Sequence, residues 1–159
     1  MNATIPTPRA LLVDDDPVVL RLLGHALQAR GFELRAAGAA AHGIELLVDE
    51  LLHLDVLVLD LDLPGRDGWS LLRLIRDAGG ERDLGIVVLA RDLTDSARLR
   101  LLAAGADVVV DRADGPEAAA AAASQVASAR RRSSAEERPT RLPIFSWPRL
   151  ALPALAMAS

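Results

Sequence analysis

The chain has 159 residues, a formal net charge of −4, and 51% hydrophobic but only 3% aromatic residues. That supports one aliphatic core with a short remainder, and gives no sign of a nucleic-acid or membrane-surface partner. Without cysteine there are no disulfides, thiolate metal sites or cysteine nucleophiles, and with no lysine every basic residue besides the histidines is arginine.

The opening MNATIPTPRA lacks the basic-then-apolar pattern of a signal peptide. No apolar run approaches the ~18–20 residues of a membrane span. A cytoplasmic protein without membrane insertion is expected. An arm over 1–8 leads into ALLVD (10–14), an apolar run ending in acid that predicts a buried strand. Pro17 suits a first helical turn, and Val18, Leu22, Leu23, Ala26 and Leu27 follow at helical spacing up to Gly31. FELRA (32–36) alternates like a short strand, and residues 40–52 place Ile44, Leu47, Val48 and Leu51 on one helical face.

DVLVLD (55–60) is continuously apolar before its closing acid, as in a parallel strand covered on both faces. A helix over 67–78 turns Leu71, Leu72 and Ile75 inward and stops at Gly79-Gly80. LGIVVLA (84–90) is a fourth strand; a helix over 94–104 follows, opened by Thr94 or Asp95 and closed by Gly105. DVVVD (107–111) is a fifth strand, and Asp114 and Glu117 have the spacing of a capping pair before an Ala-rich helix to about Arg132. The alanines offer little side-chain volume, which predicts loose packing or a flat docking face.

Such alternation predicts an α/β fold, a doubly wound five-stranded parallel sheet in the flavodoxin-like order 2-1-3-4-5. SSAEERPTR (133–141) reads as a linker, and LPIFSWPRLALPALAMAS (142–159) as a Pro-interrupted apolar tail rather than a domain. Arg130-Arg131-Arg132 and Glu81-Arg82-Asp83 read as solvated charge runs. His25, His42 and His53 have no ligand spacing, and Trp69 reads as a packing residue.

In that strand order the first and third strands are neighbours at the point where ligands bind beyond the carboxyl ends. Asp14, Asp15 and Asp60 are therefore expected to meet. Crowded carboxylates repel unless a cation sits among them, and Mg²⁺ takes one or two protein carboxylates, water and phosphate oxygens. A carboxylate beside such a cation can act as the nucleophile that forms an aspartyl phosphate. Asp60, ending an apolar strand before an exposing turn, is best placed. Read singly, either acidic group could equally be a helix cap or turn former.

VDDD (13–16), DLDLPGRDGW (60–69) and LAAGADVVV (102–110), in that order and spacing, resemble the receiver domain of bacterial two-component response regulators, CheY-like in fold, over about residues 9–132. The resemblance implies that Asp14 and Asp15 hold Mg²⁺, that Asp60 is the phosphoacceptor and also contacts the metal, and that Asp62 offers it a backbone carbonyl. Pro64 and Asp67-Gly68 match the turn into the third helix. Leu89 stands where the family has Ser or Thr, Arg112-Ala113 where it has Lys-Pro, and Val109 at the aromatic switch position. Arginine keeps the charge but presents a planar fork.

The implied function is that of a single-domain receiver in a phosphorelay, with no enzymatic activity beyond Mg²⁺-dependent phosphorylation and dephosphorylation at Asp60. The implied partners are a sensor histidine kinase or phosphotransfer protein, and a downstream target or second receiver. No nucleic-acid contact is expected. Val18, Leu22, Arg98 and Arg100 are candidate docking residues. A phosphorylation-independent interaction module with the same fold is the alternative favoured by Leu89, Val109 and Ala113. A haloacid-dehalogenase-type phosphatase, suggested by Asp60-Leu61-Asp62, is remote, because that family puts the motif on its first strand and uses a lysine.

Overall fold

Each apolar run is a strand and each strand feeds a helix: β1 (Arg9–Val13), α1 (Pro17–Ala29), β2 (Glu33–Ala37), α2 (Ala40–Glu50), β3 (Val56–Asp60), α3 (Gly68–Gly79), β4 (Gly85–Ala90), α4 (Asp95–Ala103), β5 (Val108–Asp111) and α5 (Gly115–Glu136). A 3-10 turn, Arg112–Asp114, joins β5 to α5. This computed structural model describes residues 6–50, 53–65, 68–79 and 84–136, leaving aside the side chains of 78, 79 and 134–136. Leu51, Asp67, Gly80, the charge run at 81–83 and the tail at 142–159 lie outside the described residues.

The strands form one parallel sheet in the order β2-β1-β3-β4-β5, the arrangement that the alternation predicts. Alternate residues face opposite layers. Leu11, Leu57, Leu59, Ile86 and Val88 pack against Leu47 of α2, Leu72 and Ile75 of α3, and Leu101 of α4. Leu12, Val56, Val58, Val87 and Leu89 pack on the other side against Leu23 and Leu27 of α1 and the alanines of α5. Each large aliphatic side chain so buried contributes about 1.5–3 kcal/mol.

Short polar side chains set where helices begin. Asp16 Oδ1 accepts from the Val18 amide at 2.8 Å, with Pro17 opening α1, so the cap reading holds for the third aspartate of the DDD run. Thr94 Oγ1 accepts from the Ala97 amide at 3.1 Å. Before α5 the cap is Asp111, which accepts from the Ala113 amide at 2.9 Å. Asp114 lies inside the 3-10 turn rather than pairing with Glu117, whose carboxylate meets Arg30. At the start of α3, a Cβ on Gly68 would lie 2.5 Å from the Leu61 carbonyl oxygen; only glycine lets the helix approach the β3 exit this closely.

Several expectations give way to packing. Val18 and Val48 are exposed, because the buried stripe of α1 is carried by Leu23, Ala26 and Leu27 and that of α2 by Gly43 and Leu47. The alanines of α5 do not pack loosely: Ala119, Ala120, Ala122, Ala123 and Ala127 are buried against the sheet and α1. Small residues bring the helix so close that a Cβ on Gly85 would collide with Val126. The helix also runs past Arg132 to Glu136, into the segment that reads as linker.

The arginine run is not simply solvated. At the amino edge of the sheet Asp55 accepts from Arg131 Nε at 2.7 Å and Nη2 at 2.8 Å, and from the Arg9 amide at 2.7 Å. Asp107 Oδ2 accepts from Arg76 Nη2 and the Ile86 amide, both at 2.7 Å, while its other oxygen meets Arg130. These ties fasten the end of α5 beneath β3 and β5.

Candidate functional site

Strand register brings the acidic residues together. Val13 pairs with Leu59, so Asp14, the next residue along, reaches the level of Asp60 at the end of β3. Both side chains are fully buried, whereas Asp15 is exposed. One carboxylate oxygen from each of Asp14, Asp15 and Asp60 lies within 4.8 Å of the others. The two sequence segments therefore meet at the predicted switch point.

Arg112 enters this cluster from the turn after β5. Its Nη1 is 2.9 Å from Asp14 Oδ2 and 2.8 Å from Asp60 Oδ2, and its Nη2 is 3.7 Å from Asp16 Oδ2. The inner oxygens are held by the backbone: Asp14 Oδ1 accepts from the Asp16 amide at 2.9 Å, and Asp60 Oδ1 from the Asp62 amide at 3.2 Å. Asp60 Oδ2 is in charge contact with Arg112, and among the described residues this buried oxygen has no hydrogen-bond partner. Buried polar atoms are ordinarily satisfied, so this one is open to a ligand.

The electrostatics follow from burial. Desolvation pushes the Asp14 carboxyl up from 3.8 to about 6; the Asp16 amide pulls it back, Asp60 adds to the rise and Arg112 opposes it. Burial works to lower the Arg112 pKa, but Asp14 and Asp60 outweigh it and hold the guanidinium charged more firmly than usual. Hard oxygen donors around an unsatisfied buried carboxylate oxygen suit a small divalent cation such as Mg²⁺, so the residues fit the predicted metal.

The other predicted positions fall around this centre. Leu89 pairs with Asp60 across β3 and β4 and is buried in the aliphatic layer, with no hydroxyl to offer. Beside it, a cavity of about 70 Å³ is lined in part by Val19, Leu23, Arg112 and Ala119. Val109 is buried, and Ala113 is exposed. Asp62 turns its side chain outward to within 3.6 Å of Arg91, both being exposed. Among the docking candidates Val18 and Leu22 are exposed. Arg98 is used internally, donating to the Val109 carbonyl at 2.5 Å, and Arg100 lies over the Trp69 ring, 5.7 Å from its centroid. Trp69 itself packs against the core, and the three histidines are exposed.

Three neighbours escaped the sequence reading of the site. Asp16 reaches towards Arg112, Arg91 stands beside Asp62, and Asp111 ties two loops by accepting from the Leu93 amide at 3.0 Å as well as from Ala113. Those amides, Ala113 first, hold the Asp111 carboxyl below its usual range. The one usable signal was position, since Asp111 and Arg91 each adjoin the carboxyl end of an apolar strand.

A doubly wound sheet with a buried acidic pocket at its switch point is the architecture of a phosphorelay receiver. The family model for the response regulator receiver domain matches residues 10–123, and the chain belongs to that family of two-component signalling domains. Among curated relatives, the transcriptional regulatory protein AruR of Pseudomonas aeruginosa is 34% identical over 113 residues, spanning 69% of this chain and 45% of AruR. The transcriptional activator protein PfeR of the same organism is 40% identical over 75 residues, spanning 47% of this chain and 24% of PfeR. The chain thus spans less than half the length of these relatives. Among solved structures, the BeF3-activated DrrB receiver domain is 26% identical with a TM-score of 0.64, covering 77% of this chain and 99% of that one. A CheY-like receiver domain protein from Methanospirillum hungatei has a TM-score of 0.68 at 21% identity, covering 80% of this chain and 99% of that one, and bears on the fold alone. Among the described residues, no helix is long and apolar enough to cross a membrane.

Proposed function

We propose that Asp60 accepts a phosphoryl group from the phosphohistidine of a sensor kinase or phosphotransfer protein, and that the receiver signals by docking to a further protein. The observation that carries this reading is Asp60 Oδ2, buried, without a hydrogen bond, and grouped with the carboxylates of Asp14 and Asp15. A carboxylate oxygen of Asp60 attacks: its bond to phosphorus forms as the nitrogen–phosphorus bond of the donor breaks, and the departing imidazole takes its proton from solvent. The Asp62 amide holds Oδ1 and orients the carboxylate for attack. Arg112 supplies positive charge close to the incoming phosphoryl oxygens, in the place of the family's lysine. Asp14 and Asp15, with Asp60 and the Asp62 carbonyl, would hold Mg²⁺, which when bound neutralises charge on the phosphoryl group.

The phosphorylation-independent module remains the rival reading, because the buried Leu89 leaves no hydroxyl at the end of β4 to read the phosphoryl group. The test is incubation of the full chain with Mg²⁺ and acetyl phosphate, followed by intact mass. A gain of one phosphoryl group, lost in Asp60→Asn, is the expected result. No gain in the native chain, or the same gain in the variant, overturns the acceptor reading and favours its rival.

A further inference from the structure

The oxygens a cation would use are the ones Arg112 already faces. The inner oxygens Asp14 Oδ1 and Asp60 Oδ1 accept from backbone amides. The outer oxygens Asp14 Oδ2 and Asp60 Oδ2 lie 2.9 and 2.8 Å from a single guanidinium nitrogen. A second nitrogen of the same fork points towards Asp16 at 3.7 Å. A divalent ion on the outer oxygens would stand beside a guanidinium that holds its charge under all ordinary conditions, and like charges so close in a buried pocket repel. Without the guanidinium, two fully buried carboxylates would face each other with no counter-charge in contact among the described residues.

We infer that Arg112 is the resident counter-ion of the acidic pocket, and that a divalent cation binds by displacing its guanidinium from Asp14 and Asp60. The inference rests on the metal-assisted reading proposed above and adds a competition to it. A guanidinium with one nitrogen shared by both carboxylates and a second facing Asp16 is harder to dislodge than the point charge of an ammonium group. The pocket therefore folds without metal, and its affinity for metal is set by the strength of this internal bridge.

Calorimetric titration of MgCl₂ into the EDTA-stripped, dialysed full chain tests it. Arg112→Gln is expected to bind Mg²⁺ at least tenfold more tightly than the native chain, and Arg112→Lys to fall between. In EDTA the thermal midpoint of Arg112→Gln should drop and then recover with Mg²⁺ by more than the native midpoint rises. Should Arg112→Gln fail to fold, the native and Arg112→Lys affinities decide by themselves. Equal or weaker Mg²⁺ binding in a folded variant overturns the competition; if Asp60 still gains its phosphoryl group, the acceptor reading stands. If no form binds Mg²⁺ and Asp60 gains no phosphoryl group, both fall.

Discussion

The two edges of the sheet use the same chemistry, aspartate against arginine, to opposite ends. At the amino edge Asp55 and Asp107 have both carboxylate oxygens engaged, Asp55 by the fork of Arg131 and Asp107 by Arg76, Arg130 and a backbone amide. At the carboxyl edge one arginine is shared among Asp14, Asp16 and Asp60, and an oxygen of Asp60 makes no hydrogen bond among the described residues. A saturated pair holds structure together. An unsaturated one keeps a place for something that comes and goes.

That contrast predicts mutational effects of different size and sign. Asp107→Ala removes an acceptor shared by arginines and the Ile86 amide, and should lower stability by about 3 kcal/mol, seen as a lower urea midpoint at unchanged slope. A loss below about 1 kcal/mol would erase the distinction between the edges.

The next effect is pH-dependent and belongs to the carboxyl edge. The folded-state pKa of Asp14, about 6, lies above its unfolded value near 3.8, so the folded chain binds the proton more tightly. Its stabilising contribution is complete below about pH 4 and is lost as pH rises through about 6. In EDTA this should amount to on the order of 2 kcal/mol between pH 4 and pH 7, read as the difference in unfolding free energy between the native chain and Asp14→Asn across that range. A constant difference would break the prediction.

Smallest is the effect of Asp60→Asn. It removes one of two facing buried anions, and metal-free stability should stay within about 1 kcal/mol of native or rise. A substantial loss in denaturant titration would mean that Asp60 is as firmly satisfied as the acids at the other edge.

Much of this architecture is legible in the sequence because local rules and tertiary demands coincide. Apolar runs such as VLVLD read as buried strands, and Pro17, Thr94 and Gly105 punctuate the helices between them. The meeting of Asp14 with Asp60 follows from placing both at strand ends and then ordering the strands. Arg112 could be placed only through the family resemblance, and Arg131 was illegible for a different reason: it lies 76 residues from Asp55, and no periodicity links positions so distant. A run of three arginines before a polar stretch looks like a linker until α5 carries it under the sheet. The Asp111 cap was likewise hidden, because it caps a 3-10 turn, Arg112–Asp114, that precedes α5.

The chain has two tryptophans and no tyrosine, and one of them opens α3 under the guanidinium of Arg100 on α4. Emission excited at wavelengths that phenylalanine does not absorb therefore comes from Trp69 and Trp147 alone. With Trp147 replaced by phenylalanine, a lone indole would sit between two helices flanking the acidic pocket, shaded by a positive charge. The receiver would then carry its own optical gauge of how those helices stand relative to each other, with no dye attached.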